Sequence, residues 1–206
     1  MLYQQNFDDQ THNQTVSGWV ETRQMDEFKI SNLFSVSSPN SAKLSSNGFA
    51  VCKNFTWTDE QLLFKFYKTS GSADTVFSTN GQEANPFDGS PNEWNYISAL
   101  KLSVSTGTIH VWNGGFWQDT TIVWTPDVWY ELKITHNNIL GLFSAWLNGS
   151  PIVIDYSMGV FSSEQKMFAI ETDYGTSVIY IDNFLIGQII LPQTLKDIRI
   201  TNARMI

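Results

Sequence analysis

Apolar and polar residues alternate in short runs along most of this chain. In 128–135, Tyr130, Leu132 and Ile134 fall on one side and Glu131 and Lys133 on the other. In 142–147 the same rhythm groups Phe143, Ala145 and Leu147. A period of two is the mark of a strand, because successive side chains leave opposite faces of a pleated backbone. The run 178–186 sorts Ile179, Ile181 and Leu185 against Val178, Tyr180 and Phe184. Residues 61–67 are apolar on both sides, as expected of a strand covered on both faces. No ten-residue segment carries a helical stripe, and 161–167 is the one stretch that suits a short helical turn.

Between these runs stand Asn47-Gly48, Thr106-Gly107, Asn113-Gly114-Gly115, Asn148-Gly149 and Tyr174-Gly175. Each supplies a residue that tolerates positive φ. Asn148-Gly149, between two strong runs, predicts a tight hairpin. The spacing predicts a dozen or more strands in an all-β sandwich, without a domain linker or internal repeat. The longest irregular stretch, 80–92, is rich in Asn, Gly and Pro, and loops of that length are often functional.

Composition narrows the reading. The 206 residues carry 14% aromatic and only 16% charged residues, too apolar for disorder and too uncharged for a coiled coil. The net charge of −8, with no basic cluster, argues against nucleic acid and anionic membrane surfaces as partners. No apolar run is long enough to insert in a membrane. The start, Met-Leu-Tyr-Gln-Gln-Asn, lacks the basic and apolar regions of a secretory leader. Cys52, the single cysteine, sits among apolar neighbours and is expected to be a small buried hydrophobe.

Several stretches, in order, resemble a known superfamily. They are Asn54-Phe55-Thr56-Trp57 followed by 62–68; 100–104 followed by Thr106-Gly107-Thr108-Ile109-His110-Val111-Trp112; 128–134 followed by Phe143 to Gly149; and the closing Ile181-Asp182-Asn183 strand. The set resembles the laminin-G-like and concanavalin A-like jelly rolls, and Tyr3 to Asp9 fits the first strand that pairs beside the last. The resemblance implies a two-sheet antiparallel jelly-roll sandwich over 1–187. Residues 188–206 are expected to form a C-terminal extension packed on the sandwich or on a neighbouring subunit. That superfamily includes lectins, glycosidases, lyases and scaffold modules, so the fold leaves activity open.

The acids do not show the Glu-x-Asp-x-x-Glu spacing of sandwich glucanases. Glu171-Thr172-Asp173 comes closest and lacks the third acid. His110 lies on an alternating strand, with the concave sheet as one place to face. The resemblance implies a structural Ca²⁺ near the first and last strands, with Asp8, Asp9 and Asp182 as donors; Glu83 and Asp88 are a weaker second set. Sugar rings stack on aromatic faces while polar neighbours bind their hydroxyls. That logic selects Trp94, Tyr96, Trp112 and Trp117 with Asn113, Gln118 and Asp119 as a glycan surface, whereas Trp129 and Trp146 are expected in the core. The sum is a non-catalytic binding or structural module displayed on a larger assembly. A virion is the favoured setting, as a phage capsid decoration or tail-associated protein, with other subunits and cell-surface glycans as partners. The alternatives are a secreted lectin-like module in the extracellular space and a polysaccharide lyase or hydrolase.

Overall fold

The computed structural model describes residues 3–22, 28–36, 39–45, 50–57, 60–80, 96–159, 165–173 and 175–188. Within them run fifteen strands, numbered here in chain order, and no helix. They form two antiparallel sheets, so the expected two-sheet jelly-roll sandwich is the observed architecture. The expected helical turn at 161–167 is not borne out where it can be read: Gln165 to Met167 open a strand, and the rest lies outside the described residues.

One sheet, A, has the order β13 (Ser150–Ser157), β12 (Leu142–Leu147), β11 (Trp129–Asn137), β6 (Glu60–Lys68), β15 (Val178–Gln188), β4 (Ser41–Ser45), β3 (Phe28–Ser31). A short β1 (Tyr3–Gln5) joins β15 through Tyr3↔Ile186 and Gln5↔Phe184, the expected pairing of first and closing strands. The other sheet, B, runs β10 (Trp117–Val123), β9 (Thr108–Trp112), β8 (Tyr96–Leu102), β7 (Thr75–Asn80), β14 (Gln165–Thr172), β5 (Ala50–Trp57), β2 (Val20–Thr22). Cys52 pairs with Ala169 and Val20 in its ladder; its side chain lies outside the description.

The core is aromatic. Phe64, Phe66, Phe77, Phe168 and Phe184 are wholly buried. Phe64 meets Phe77 at 5.1 Å and Phe168 at 5.3 Å, joining the sheets by tilted ring contacts. Trp19 closes one side against Phe28 at 5.1 Å, its Nε1 donating to Gln5 Oε1 at 3.0 Å. A polar bridge also crosses the interior: Ser98 Oγ and Thr79 Oγ1 of sheet B lie 2.9 and 3.3 Å from His136 Nε2 of sheet A.

The predicted hairpin is present. Asn148 (φ 49°) and Gly149 (φ 79°) join β12 to β13, and Asn148 Oδ1 accepts from Glu131 N at 2.8 Å. Two expectations fail. Simple alternation groups Leu185 with Ile179 and Ile181, but a bulge between Asp182 and Leu185, with Asn183 at φ 51°, shifts the phase. Phe184 and Ile186 therefore join Ile179 and Ile181 in the core. Trp129 and Trp146 are not core residues. They are half-buried on the outside of sheet A, Trp129 against Tyr67 at 5.6 Å and Trp146 under Lys133 Nζ at 5.1 Å. Among the described residues the core indoles are Trp19 and Trp124, with Trp112 in a second cluster.

Candidate functional site

Ile170, Phe77, Leu100 and Val111 point into the core from four neighbouring strands of sheet B, so the residues alternating with them form its outer face. Register aligns those outer residues in rows. One row reads Glu171 on β14, Val76 on β7, Lys101 on β8, His110 on β9 and Asp119 on β10. One step along each strand lie Ala169 and Ser78, then the cross-strand pair Trp112 and Trp117. A step further, Met167, Asn80 and Tyr96 pair across three strands.

The second and third rows are closed. Ser78, Ala99 and Ala169 are wholly buried, and Tyr96, Ala99 and Trp112 form a small second core. Trp112 meets Trp117 at 5.3 Å and Tyr96 at 6.1 Å. Gly159 seats against this cluster, and a Cβ there would stand 2.7 Å from Trp112 Cδ1 and from the Tyr96 carbonyl. The first row reaches solvent. Trp117 is half-buried beside it, with Lys101 Nζ 4.9 Å from its ring centroid and 3.9 Å from Asp74 Oδ2. Asp119 is exposed, and its carboxyl is held below the usual range by the Thr121 N–H, with Thr108 and His110 adding to the effect.

Behind the row is a hydrogen-bond relay whose direction can be worked out. Glu171 Oε1 takes the Tyr96 hydroxyl at 2.8 Å and the Ser78 hydroxyl at 3.1 Å. An ionised carboxylate only accepts, so both hydroxyls donate to it. Ser78 has then spent its one proton and must accept from Asn80 Nδ2, 3.3 Å away. That fixes the amide, leaving Asn80 Oδ1 as a buried acceptor without a hydrogen-bond partner.

The sequence-selected set is thus divided. Asp119 and His110 lie in the open row, and Trp117 stands half-buried beside it on the same face. Tyr96 and Trp112 are on the same side of the sheet but are only 2% and 4% exposed, because Gly159 and the neighbouring rings cover them. Gln118, paired with Val111, lies on the opposite face, and its Oε1 accepts from Tyr156 OH at 2.8 Å. Asn113 shapes the turn, its Oδ1 accepting from Gly115 N and Phe116 N at 3.1 and 3.0 Å. Trp94, Glu83 and Asp88 lie outside the described residues. Sequence reading passed over Lys101, Ser78 and Asn80; the alternation of 75–80 and 97–102 was the available signal.

The expected calcium donors are placed as anchors of one loop. Asp8 Oδ1 accepts from Asn40 N and Oδ2 from Asn6 Nδ2, both at 3.1 Å. Asp182, fully buried, accepts from Val36 N at 2.8 Å and Asn183 N at 2.7 Å. Asp9 is exposed. A hard cation takes six to eight oxygens. Among the described residues no three His, Cys, Asp or Glu side chains gather to offer such a set, and the four carboxylate oxygens of Asp8 and Asp182 already accept N–H groups.

Comparison with solved structures places this architecture. A sialidase superposes with a TM-score of 0.67 at 7% identity over 91% of this chain, which spans 18% of that protein's length. An alginate lyase in complex with an alginate trisaccharide matches with a TM-score of 0.56 at 12% identity, covering 91% of this chain and 98% of that one. A carbohydrate-binding module from Bacillus subtilis matches with a TM-score of 0.52 at 12% identity, covering 82% and 96%. At such identities the likeness establishes the concanavalin A-like jelly-roll fold. No protein-family model and no curated protein matches the sequence.

Proposed function

We propose that this chain is a non-catalytic glycan-binding module that works through the outer face of sheet B. The observation that carries the reading is the open row Glu171–Lys101–His110–Asp119 with Trp117 beside it. An indole offers a flat apolar surface to the C–H face of a sugar ring, and flanking carboxylates and imidazole take its hydroxyls. Fold neighbours that include a carbohydrate-binding module and an enzyme holding a trisaccharide support the same side of the argument. The proposal includes display on a larger assembly, with a virion as its setting. The exposed Leu33, Phe34 and Val36 offer an apolar contact for such an assembly.

Affinity electrophoresis through gels containing a panel of polysaccharides tests the binding. Retardation by at least one polymer is expected, weakened about tenfold in Trp117→Ala, the order of one lost aromatic stacking contact. Unretarded migration in every gel overturns the reading. A second reading, cleavage of a polysaccharide, draws on Glu171, a half-buried carboxylate of the open row whose Oε1 accepts from the buried Tyr96 hydroxyl at 2.8 Å. Release of reducing ends or unsaturated products that is lost in Glu171→Gln would favour it over simple binding.

A further inference from the structure

A second polar site lies on the opposite side of the molecule. The hairpin partners β3 and β4 place Lys29 directly across from Lys43, and like charges in that position repel. Both side chains are half-buried, and among the described residues neither has a carboxylate within ion-pair distance. The pair sits in a chain with 20 acidic residues against 12 basic ones, so uncompensated neighbouring cations go against its overall composition. The two lysines line a cavity of about 350 Å³ together with His12, Asn13, Ser31 and Ser45. His12 is brought there because the 13–16 segment runs along the free edge of β3, with Asn13 N donating to the Ile30 carbonyl at 2.9 Å and Thr15 bridging to Lys29. The row continues from Lys43 to Tyr180, Tyr67 and Trp129, and Phe34 stacks over Tyr67 at 4.9 Å.

We infer that this cavity binds an oxyanion, a carboxylate or a sulfate, carried on a sugar ring that lies against the neighbouring Phe34. Two ammonium groups and an imidazole supply charge-assisted donors, and the Ser31 and Ser45 hydroxyls lie alongside. The ring body lies on Phe34, which is 40% exposed and itself covers Tyr67 and Tyr180 at 4.9 and 5.1 Å, much as an apolar sugar face covers any aromatic surface. Bound negative charge also relieves the repulsion between the lysines, so part of the binding free energy is release of a cost already present in the fold. The site is independent of the sheet B row.

Thermal unfolding with added glucuronate, glucose 6-sulfate, inorganic sulfate and glucose tests it. Glucuronate or glucose 6-sulfate should raise Tm in a dose-dependent way, less so at high salt, while glucose does not. A rise with inorganic sulfate alone, without the sugar acids, would leave only the charge pair acting and overturn the proposed ring contact. Lys43→Gln and Lys29→Gln should each melt at or above the parent temperature in the absence of ligand, and should lose the ligand-induced shift by about tenfold in apparent affinity. Trp117→Ala should keep that shift, which separates this site from the other face. Equal shifts with glucose and glucuronate, or a Lys29→Gln/Lys43→Gln double variant that responds like the parent, would sink the inference.

Discussion

Two buried side chains, His136 and Lys68, give this protein a pH dependence whose sign can be worked out. His136 is 2% exposed, and burial pushes its pKa down to about 3 from the ordinary 6.5. The unfolded chain therefore takes up a proton below pH 6.5 that the folded chain refuses until near pH 3, so stability falls across that window as pH drops. The slope is about 1.4 kcal/mol per pH unit for one proton. Urea unfolding at pH 7, 5.5 and 4 should show this loss, and His136→Leu should lack it while keeping whatever the carboxylates contribute. Lys68 behaves in the opposite range. Its ammonium is 1% exposed, donates to Ser177 Oγ at 2.7 Å and lies 5.2 Å from the Trp124 ring centroid. Burial lowers its pKa from 10.5 to about 8, despite Asp74 and Asp127. The unfolded state binds more protons between those values, so stability rises from pH 8 to pH 10.5 and the cost is complete below pH 8. Lys68→Met should raise the unfolding free energy at pH 7 by about 1–3 kcal/mol, with a higher Tm, and flatten the alkaline rise.

Strands and their turns decide which residues meet. The Asn148-Gly149 hairpin was legible in the sequence because Asn and Gly accept the φ values that a two-residue turn demands. The phase of β15 was not, because one bulged residue at Asn183 moves every later side chain to the other face, and nothing in the local pattern marks it. Nor was it legible which tryptophans are core: in a sandwich each strand has two faces, and Trp112, Trp129 and Trp146 all obey alternation. The Lys29–Lys43 pair arises only when β3 meets β4 across a nine-residue connection, although Phe28-Lys29-Ile30 and Ala42-Lys43-Leu44 each show a lysine between two apolar residues. At this scale Asp182 is the informative test. Asp182→Ala removes acceptors from Val36 N and Asn183 N and should cost about 1–3 kcal/mol in chemical denaturation. If hydrogen bonding is the whole role of these carboxylates, EDTA leaves the melting temperature unchanged. A fall with EDTA that Ca²⁺ restores would assign them to a cation.

Over the whole molecule, the general architecture could be read from rhythm and turn chemistry, whereas the candidate surface depended on register across strands far apart in sequence. Glu171, Lys101 and Asp119 share one row although 70 residues separate Lys101 from Glu171. Tyr3 pairs with Ile186, a closure spanning most of the chain. Folds built from such distant pairings are slow to form, in the millisecond-to-second range. Stopped-flow refolding followed by tryptophan fluorescence should show a main phase in that range. Removing residues 1–9 deletes the β1 ladder and the fully buried Phe7, and should cost 3–5 kcal/mol, the order of losing a large core side chain.

β15 fills the middle of sheet A, with β6 on one flank and β4 and β1 on the other, yet it is the last strand described along the chain. On the ribosome, β6 and β4 would emerge long before the strand that separates them and would wait with unpaired edges. Nascent chains of this protein are thus exposed to sticking to one another until β15 arrives.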